Sequence, residues 1–206
     1  PKLSKTLLNV RHGERSSSKL ADQQMDSETD RLNDYWNSRN YTRNTEFAEY
    51  FFRQGARMHK LLDTICDFQI PNAFTLEQDR PLIFAANHRS FLDILVGGAL
   101  FTHLGLSCRF QVQARMFNRP FIGPWLRKLG CIPTNRSVRQ QAEETSLATL
   151  RAGHTIAIMP EGRLVPESDR PGGVSSGRPG LSRIARQTDA LVIPVSCHGT
   201  DRVWPR

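Results

Sequence analysis

The rhythm of apolar and polar positions changes twice along this chain. Residues 1–43 are polar, rich in Ser, Asp, Asn and Arg, and keep neither a helical nor a strand period. They predict an arm carrying one short helix at Leu32–Trp36. Between residues 44 and 66, Phe47, Phe51, Met58, Leu61, Leu62 and Ile65 recur at three, four and seven positions. That spacing puts them on one helical face, with Arg53, Arg57 and Lys60 elsewhere around the turn. An amphipathic basic helix of this kind either packs on the domain core or rests on an anionic membrane.

Beyond residue 66 the pattern alternates. Short apolar runs at Phe68–Ile70, 82–86, 107–113, 130–133, 155–159 and 191–195 predict strands. Helices are predicted at 90–104, 122–129, 137–152 and 180–188, the third closed by Gly153. Strands buried on both faces, separated by helices, imply an α/β fold: a mostly parallel or mixed central sheet flanked by helices, behind the amino-terminal arm. Pro194 inside the last strand places that strand at an edge or a bulge. Ligands of such sheets gather beyond the carboxyl ends of the strands. Three of these ends run into Asn87-His88, Pro160-Glu161-Gly162-Arg163 and Cys197-His198-Gly199. The stretch 166–179 is rich in Pro, Gly and Ser and reads as a long loop beside that rim, either a lid or idle surface.

At 206 residues with 38% hydrophobic content, the chain fits the arm and one domain over 44–206. Its longest apolar run, Ile94–Phe101, holds eight residues, against the roughly 20 that span a bilayer. Four scattered cysteines form no CxxC pair, so zinc and redox-motif readings are weak and reduced cytosolic thiols are expected. The expected location is therefore cytoplasmic, or peripheral on the inner face of the membrane.

Charge sharpens the picture. Net charge is +8, and from Ile94 through Ala142 there is no Asp or Glu, while Arg109, Arg115, Arg119, Arg127, Lys128, Arg136 and Arg139 all fall there. Such a block either solvates a basic face or draws anionic partners: phosphate-bearing substrates, coenzyme A, an acidic carrier protein, an anionic membrane or nucleic acid. No nucleic-acid motif and no interleaved aromatics accompany it, so nucleic acid is not the expected partner.

The candidate chemistry lies at Asn87-His88-Arg89-Ser90-Phe91-Leu92-Asp93. An imidazole and a carboxylate can form a general base, the acid fixing the tautomer of the ring. Five helical positions turn well past a full circuit, so the pair can meet only if His88 precedes the helix, in the strand-to-helix turn. Ser90-x-x-Asp93 is also a capping signature, and capping would hold the carboxylate while it faces the ring. No metal ligand set is apparent; His198 lacks partners at ligand spacing.

This stretch resembles the His-x4-Asp motif of the glycerolipid acyltransferases, a group within the lysophospholipid acyltransferase superfamily that includes the 1-acylglycerol-3-phosphate acyltransferases. Ala114-Arg115 through Phe121-Ile122-Gly123 to Leu129–Arg136 resembles the second block of that family. Met159-Pro160-Glu161-Gly162-Arg163 resembles the third, and Val192–Val195 the fourth. The blocks occur in order over residues 44–206. Two departures stand out: the third block lacks its threonine, so Arg163 directly follows Gly162, and the resemblance implies more sheet and helix after the fourth block than this sequence carries.

The resemblance implies transfer of a fatty acyl group from an acyl-CoA or acyl-carrier-protein thioester, the co-substrate, to a hydroxyl of a lysophospholipid, lysophosphatidic acid above all, with no bound cofactor. His88 would be the base and Asp93 its partner. Arg136 and Arg163 would grip phosphate through their guanidinium forks, and Glu161 would serve the acceptor. Gly162 would let backbone approach a ligand, or simply turn the chain. Asn87 would orient the loop beside the substrate or make a turn. The altered third block keeps a second reading open, the same chemistry on a non-lipid acceptor such as a sugar or specialised metabolite.

Overall fold

A computed structural model of the chain describes residues 45–70, 80–169 and 175–204. The expected arm over 1–43, with its short helix, lies outside the described residues, as does the centre of the Pro/Gly/Ser-rich stretch.

Helix α1 covers Thr45–Ile65. Strands and helices then alternate: β1 Leu82–Ala86, α2 Asp93–His103, β2 Cys108–Gln113, α3 Ile122–Lys128, β3 Ile132–Thr134, α4 Arg139–Arg151, β4 Thr155–Ile158, α5 Gly180–Thr188, β5 Leu191–Val195 and the short α6 Thr200–Val203. The five strands form one sheet ordered β3-β2-β4-β1-β5. Every pairing in it is parallel.

Alternation of side chains along the strands divides the core in two. On one face Leu82 and Phe84 of β1, Cys108 and Phe110 of β2 and Ala157 of β4 pack with Phe47, Phe51 and Met58 of α1 and Phe101 of α2. On the other, Ile83 of β1 and Ile156 and Ile158 of β4 meet Leu147 and Leu150 of α4 and Ile184 of α5. Arg183 of α5 clamps Glu143 of α4 at 2.8 Å, and its hydrogen bonds hold the Glu143 carboxyl below the usual carboxylate range. β5 is an edge strand, so Pro194, level with Ala85, removes no ladder bond on its outer side.

Three expectations change. Phe68–Ile70 is not a strand: it pairs with none of the five, and Phe68 instead sets its ring edge-on to His59 at 5.3 Å. Helix α2 begins at Asp93, because Ser90–Leu92 form a separate turn. Of the seven cations in the acid-free block, Arg109 is 3% exposed and lies inside the domain, donating to Thr149 Oγ1 at 3.2 Å.

Most of the apolar face of α1 is occupied. Phe47, Phe51, Met58 and Leu62 are buried while Arg53, Arg57 and Lys60 face outward; Leu61 and Ile65, expected on the same face, are instead exposed at its carboxyl end. The buried part of that face packs on α2, and no helix among the described residues is long and apolar enough to cross a membrane. The crossing is close because it is made of glycines. A Cβ at Gly55 would fall on Thr102 Oγ1 and lie 2.6 Å from the Gly98 carbonyl oxygen. Helix propensity alone would make Gly55→Ala stabilising by about 1 kcal/mol. Overpacking against backbone costs roughly 1–3 kcal/mol and should win. We expect Gly55→Ala to lose about 1–2 kcal/mol on balance, read as a lower urea midpoint at unchanged slope.

Candidate active site

The strand order brings together the loops that carry the motifs. β1 lies between β4 and β5, so the segments after these three strands share one rim. His88 leaves the carboxyl end of β1. Asn87, just before it, is tied to the loop after β5: its amide nitrogen donates to the Cys197 carbonyl at 2.8 Å, and its amide oxygen accepts from the Cys197 N–H at 2.7 Å. Both ends of the Asn87 side chain are thus engaged in joining two strand ends.

His88 Nδ1 and Asp93 Oδ2 are 2.9 Å apart. The same Asp93 oxygen accepts from the backbone N–H groups of Arg89 at 2.7 Å and Ser90 at 2.9 Å. Ser90 Oγ accepts in return from the Leu92 N–H at 3.2 Å. The expected capping box does not close on α2: Leu92 precedes the helix without a side-chain cap, and Ser90 Oγ reaches the N–H two residues on, so the carboxylate instead holds the turn ahead of α2 while it faces the imidazole. Oδ1 is occupied as well, accepting from the Thr200 hydroxyl at 2.7 Å. Asp93 is 4% exposed and every hydrogen bond at its carboxylate is an accepted one. A carboxylate that accepts at both oxygens suits the ring tautomer with its proton on Nδ1. The His88 side chain is 23% exposed, and its Nε2 has no partner among the described residues.

β4 supplies the second wall. Ala85 pairs with Ile158, and three residues further on each chain come His88 and Glu161. The Gly162 N–H closes a tight turn on the Met159 carbonyl at 2.9 Å, with Gly162 at φ +63°. That left-handed backbone suits glycine. The Val165 N–H then donates to the His88 carbonyl at 3.1 Å, which ties the end of the segment 161–165 to His88. Glu161 Oε2 is buried and has no hydrogen-bond partner among the described residues.

The arginines are arranged less simply. Arg163, exposed, turns to Asp169, with both Nη atoms 3.1 Å from Oδ2. Arg136 is exposed after β3, three strand spacings or about 14 Å from β1 at the base of the rim. A third guanidinium lies nearer. The Arg178 N–H donates to the Pro160 carbonyl at 2.8 Å, and its side chain lies on Gly162, where Nε would be 3.0 Å from an added Cβ. His88, Asp93, Asn87, Glu161 and Gly162 are thus brought to one place, while Arg136 stands across the rim and Arg163 is held by an acid.

Three participants escaped the sequence reading. The loop Cys197-His198-Gly199 was expected at the rim beside Asn87-His88, but neither the bonds of Cys197 to Asn87 nor the part of Thr200 had any signal in the sequence. Arg178 sat in a stretch read as loop. Cys197 is not a nucleophile in waiting: burial, with the Asp93 carboxylate second, pushes its thiol up to about 11 from an ordinary 9.0. Burial pushes Cys131 up to about 12. Stability from these thiols is fully present below pH 9. It is lost as pH rises through the folded values, because the unfolded chain releases its protons first. The urea midpoint should hold to pH 8.5 and fall by pH 10.5, at up to about 1.4 kcal/mol per pH unit for each thiol. A flat midpoint over that range would contradict the burial.

An acyltransferase family model matches residues 67–198, well over half of the chain. Among curated proteins, the chain is similar to the chloroplastic 1-acyl-sn-glycerol-3-phosphate acyltransferases of Arabidopsis thaliana and Brassica napus. It is 28% identical to each over 130 residues, covering 62% of this chain and 34% and 36% of theirs. The chain thus spans about a third of the length of the curated relatives it matches. No solved structure matches it.

Proposed function

Since the chain belongs to the acyltransferase family, we propose that it moves a fatty acyl group from a thioester to the free hydroxyl of a lysophospholipid, lysophosphatidic acid first among them. The observation that carries this reading is the His88–Asp93 pair at 2.9 Å, with Nε2 unpartnered at a partly exposed rim. Nε2 accepts the hydroxyl proton as the oxygen attacks the thioester carbonyl carbon. Asp93 steadies the imidazolium through Nδ1. The C–S bond then breaks, and the proton passes from Nε2 to the departing sulfur. Glu161, with one buried oxygen unpartnered beside the base, serves the acceptor side of the site. Arg178, beside Gly162, meets its phosphate, and the donor is either acyl-CoA or acyl-carrier protein, both anionic and suited to the basic block that carries Arg136 across the rim.

Charge-assisted hydrogen bonds to phosphate are worth about 1.5–3 kcal/mol. We therefore expect kcat/KM for lysophosphatidic acid to exceed that for its dephosphorylated monoacylglycerol by roughly 10–100-fold, measured by thiol release from either donor. Equal rates would favour the second reading, a phosphate-free acceptor, for which the engagement of Arg163 by Asp169 speaks. Absence of thiol release with every acceptor would overturn both.

A further inference from the structure

The two oxygens of Asp93 are engaged unequally. Among the described residues, Oδ2 meets three donors: the His88 ring and the N–H groups of Arg89 and Ser90. Oδ1 meets one, the Thr200 hydroxyl at 2.7 Å. The last torsion of an aspartate is broad and roughly two-fold, so a carboxylate turns easily about it. Donors gathered on one oxygen fix that oxygen but leave the plane of the group free to swing around it. A donor on the other oxygen sets the plane.

Thr200 is itself firmly placed. It is 6% exposed and opens α6, directly after Gly199, whose φ of +82° turns the chain into that helix. The Gly199 carbonyl accepts from the Arg202 N–H at 3.0 Å, and the Thr200 carbonyl from the Trp204 N–H at 3.0 Å. Two further ties fasten this segment to the turn that carries the base. Asn87 exchanges a pair of hydrogen bonds with the Cys197 backbone, and Ser90 Oγ donates to the Trp204 carbonyl at 2.9 Å. Asn87, Ser90 and Asp93 thus each hold the segment 197–204. Asn87 and Ser90 bond its backbone; Asp93 alone is met by one of its side chains.

We propose that Thr200 is a positioning residue for the general base. Its hydroxyl keeps the Asp93 carboxylate in the plane that meets Nδ1, and through that contact aims Nε2 of His88 at the rim. Asp93 and Thr200 are 4% and 6% exposed, so their bond lies where water does not compete for it. A base held by an acid that is itself held keeps its aim while the proton moves. The inference rests on the acyl-transfer reading for its kinetic assay, whereas the alignment of the ring can be followed without turnover.

The test compares Thr200→Val, which keeps the shape and removes the hydroxyl, with Thr200→Ser, which keeps the hydroxyl. Thr200→Val should lower kcat about tenfold, within the roughly hundredfold that a small misplacement can cost. KM for donor and acceptor should not change, because Thr200 acts through Asp93 and not on either substrate. Thr200→Ser should stay within about twofold of the parent. In proton NMR, the low-field resonance of the ring N–H that meets the carboxylate should persist in Thr200→Ser and move upfield or broaden in Thr200→Val. Its loss in His88→Ala assigns it. A mere prop for the fold would leave that resonance in place. Parental kcat in Thr200→Val would overturn the proposal. So would a Thr200→Ser variant as slow as Thr200→Val, or failure of Thr200→Val to fold, which would make the hydroxyl such a prop. His88→Ala tells the two readings apart: full activity there removes the base itself, while a slow His88→Ala beside a fast Thr200→Val removes only the role of Thr200.

Discussion

His88→Ala should lower kcat by ~10²–10⁴-fold, the range that a positioned general base supplies. The loss should appear with every acceptor, because the proton leaves the attacking hydroxyl whatever the rest of that molecule carries. Stability should change little. The ring is 23% exposed, and its only hydrogen bond reaches a carboxylate that keeps three other donors. KM for the thioester should also stay close to its original value, since the base acts on the transition state. Thiol release under saturating donor is the measurement, with the urea midpoint as control. Full activity in this variant would remove the base from the mechanism and leave the rim as a binding surface.

The second large effect falls on Asp93, and the choice of replacement decides its kind. Asp93→Ala leaves the N–H groups of Arg89 and Ser90 and the Thr200 hydroxyl without their acceptor, in a site where the acid is 4% exposed. An unsatisfied buried donor costs about 1–3 kcal/mol. Three of them amount to several kcal/mol, against a total stability of about 5–15 kcal/mol for a domain. We expect partial or complete unfolding at 37 °C, visible by circular dichroism. Asp93→Asn is different. Its amide oxygen can take the place of Oδ2 and keep three bonds, while its NH₂ faces a Thr200 hydroxyl free to rotate and accept. The fold should survive, but the imidazolium would lose its counter-charge, and kcat should fall at least about tenfold. An Asn variant as active as the parent would reduce Asp93 to holding the turn ahead of α2.

Much of this could be read along the chain, because it depends on local rules. Gly180–Thr188 and Leu191–Val195 were legible to the residue, since apolar period and turn residues agree there. Phe68–Ile70 misled for the opposite reason. A run of three apolar-leaning residues satisfies a strand pattern, but whether a partner strand is available is a property of the sheet. The basic block misled in one position. Nothing in the composition separates Arg109, buried against Thr149, from the exposed Arg115 and Arg119.

The division at the site has the same cause. The sequence alone determined the meeting of His88 and Asp93, since they are five residues apart and one turn suffices to bring them together. Contacts of that range follow from backbone geometry. Only the tertiary structure decided what surrounds the pair. Thr200 meets Asp93 across 107 positions, Asn87 ties to Cys197 across 110, and the segment after β4 reaches His88 through the Val165 N–H. All three depend on β1 lying between β4 and β5. That order arises from how helices cover the two faces of the sheet, a balance of packing over the whole domain that no local stretch of residues encodes.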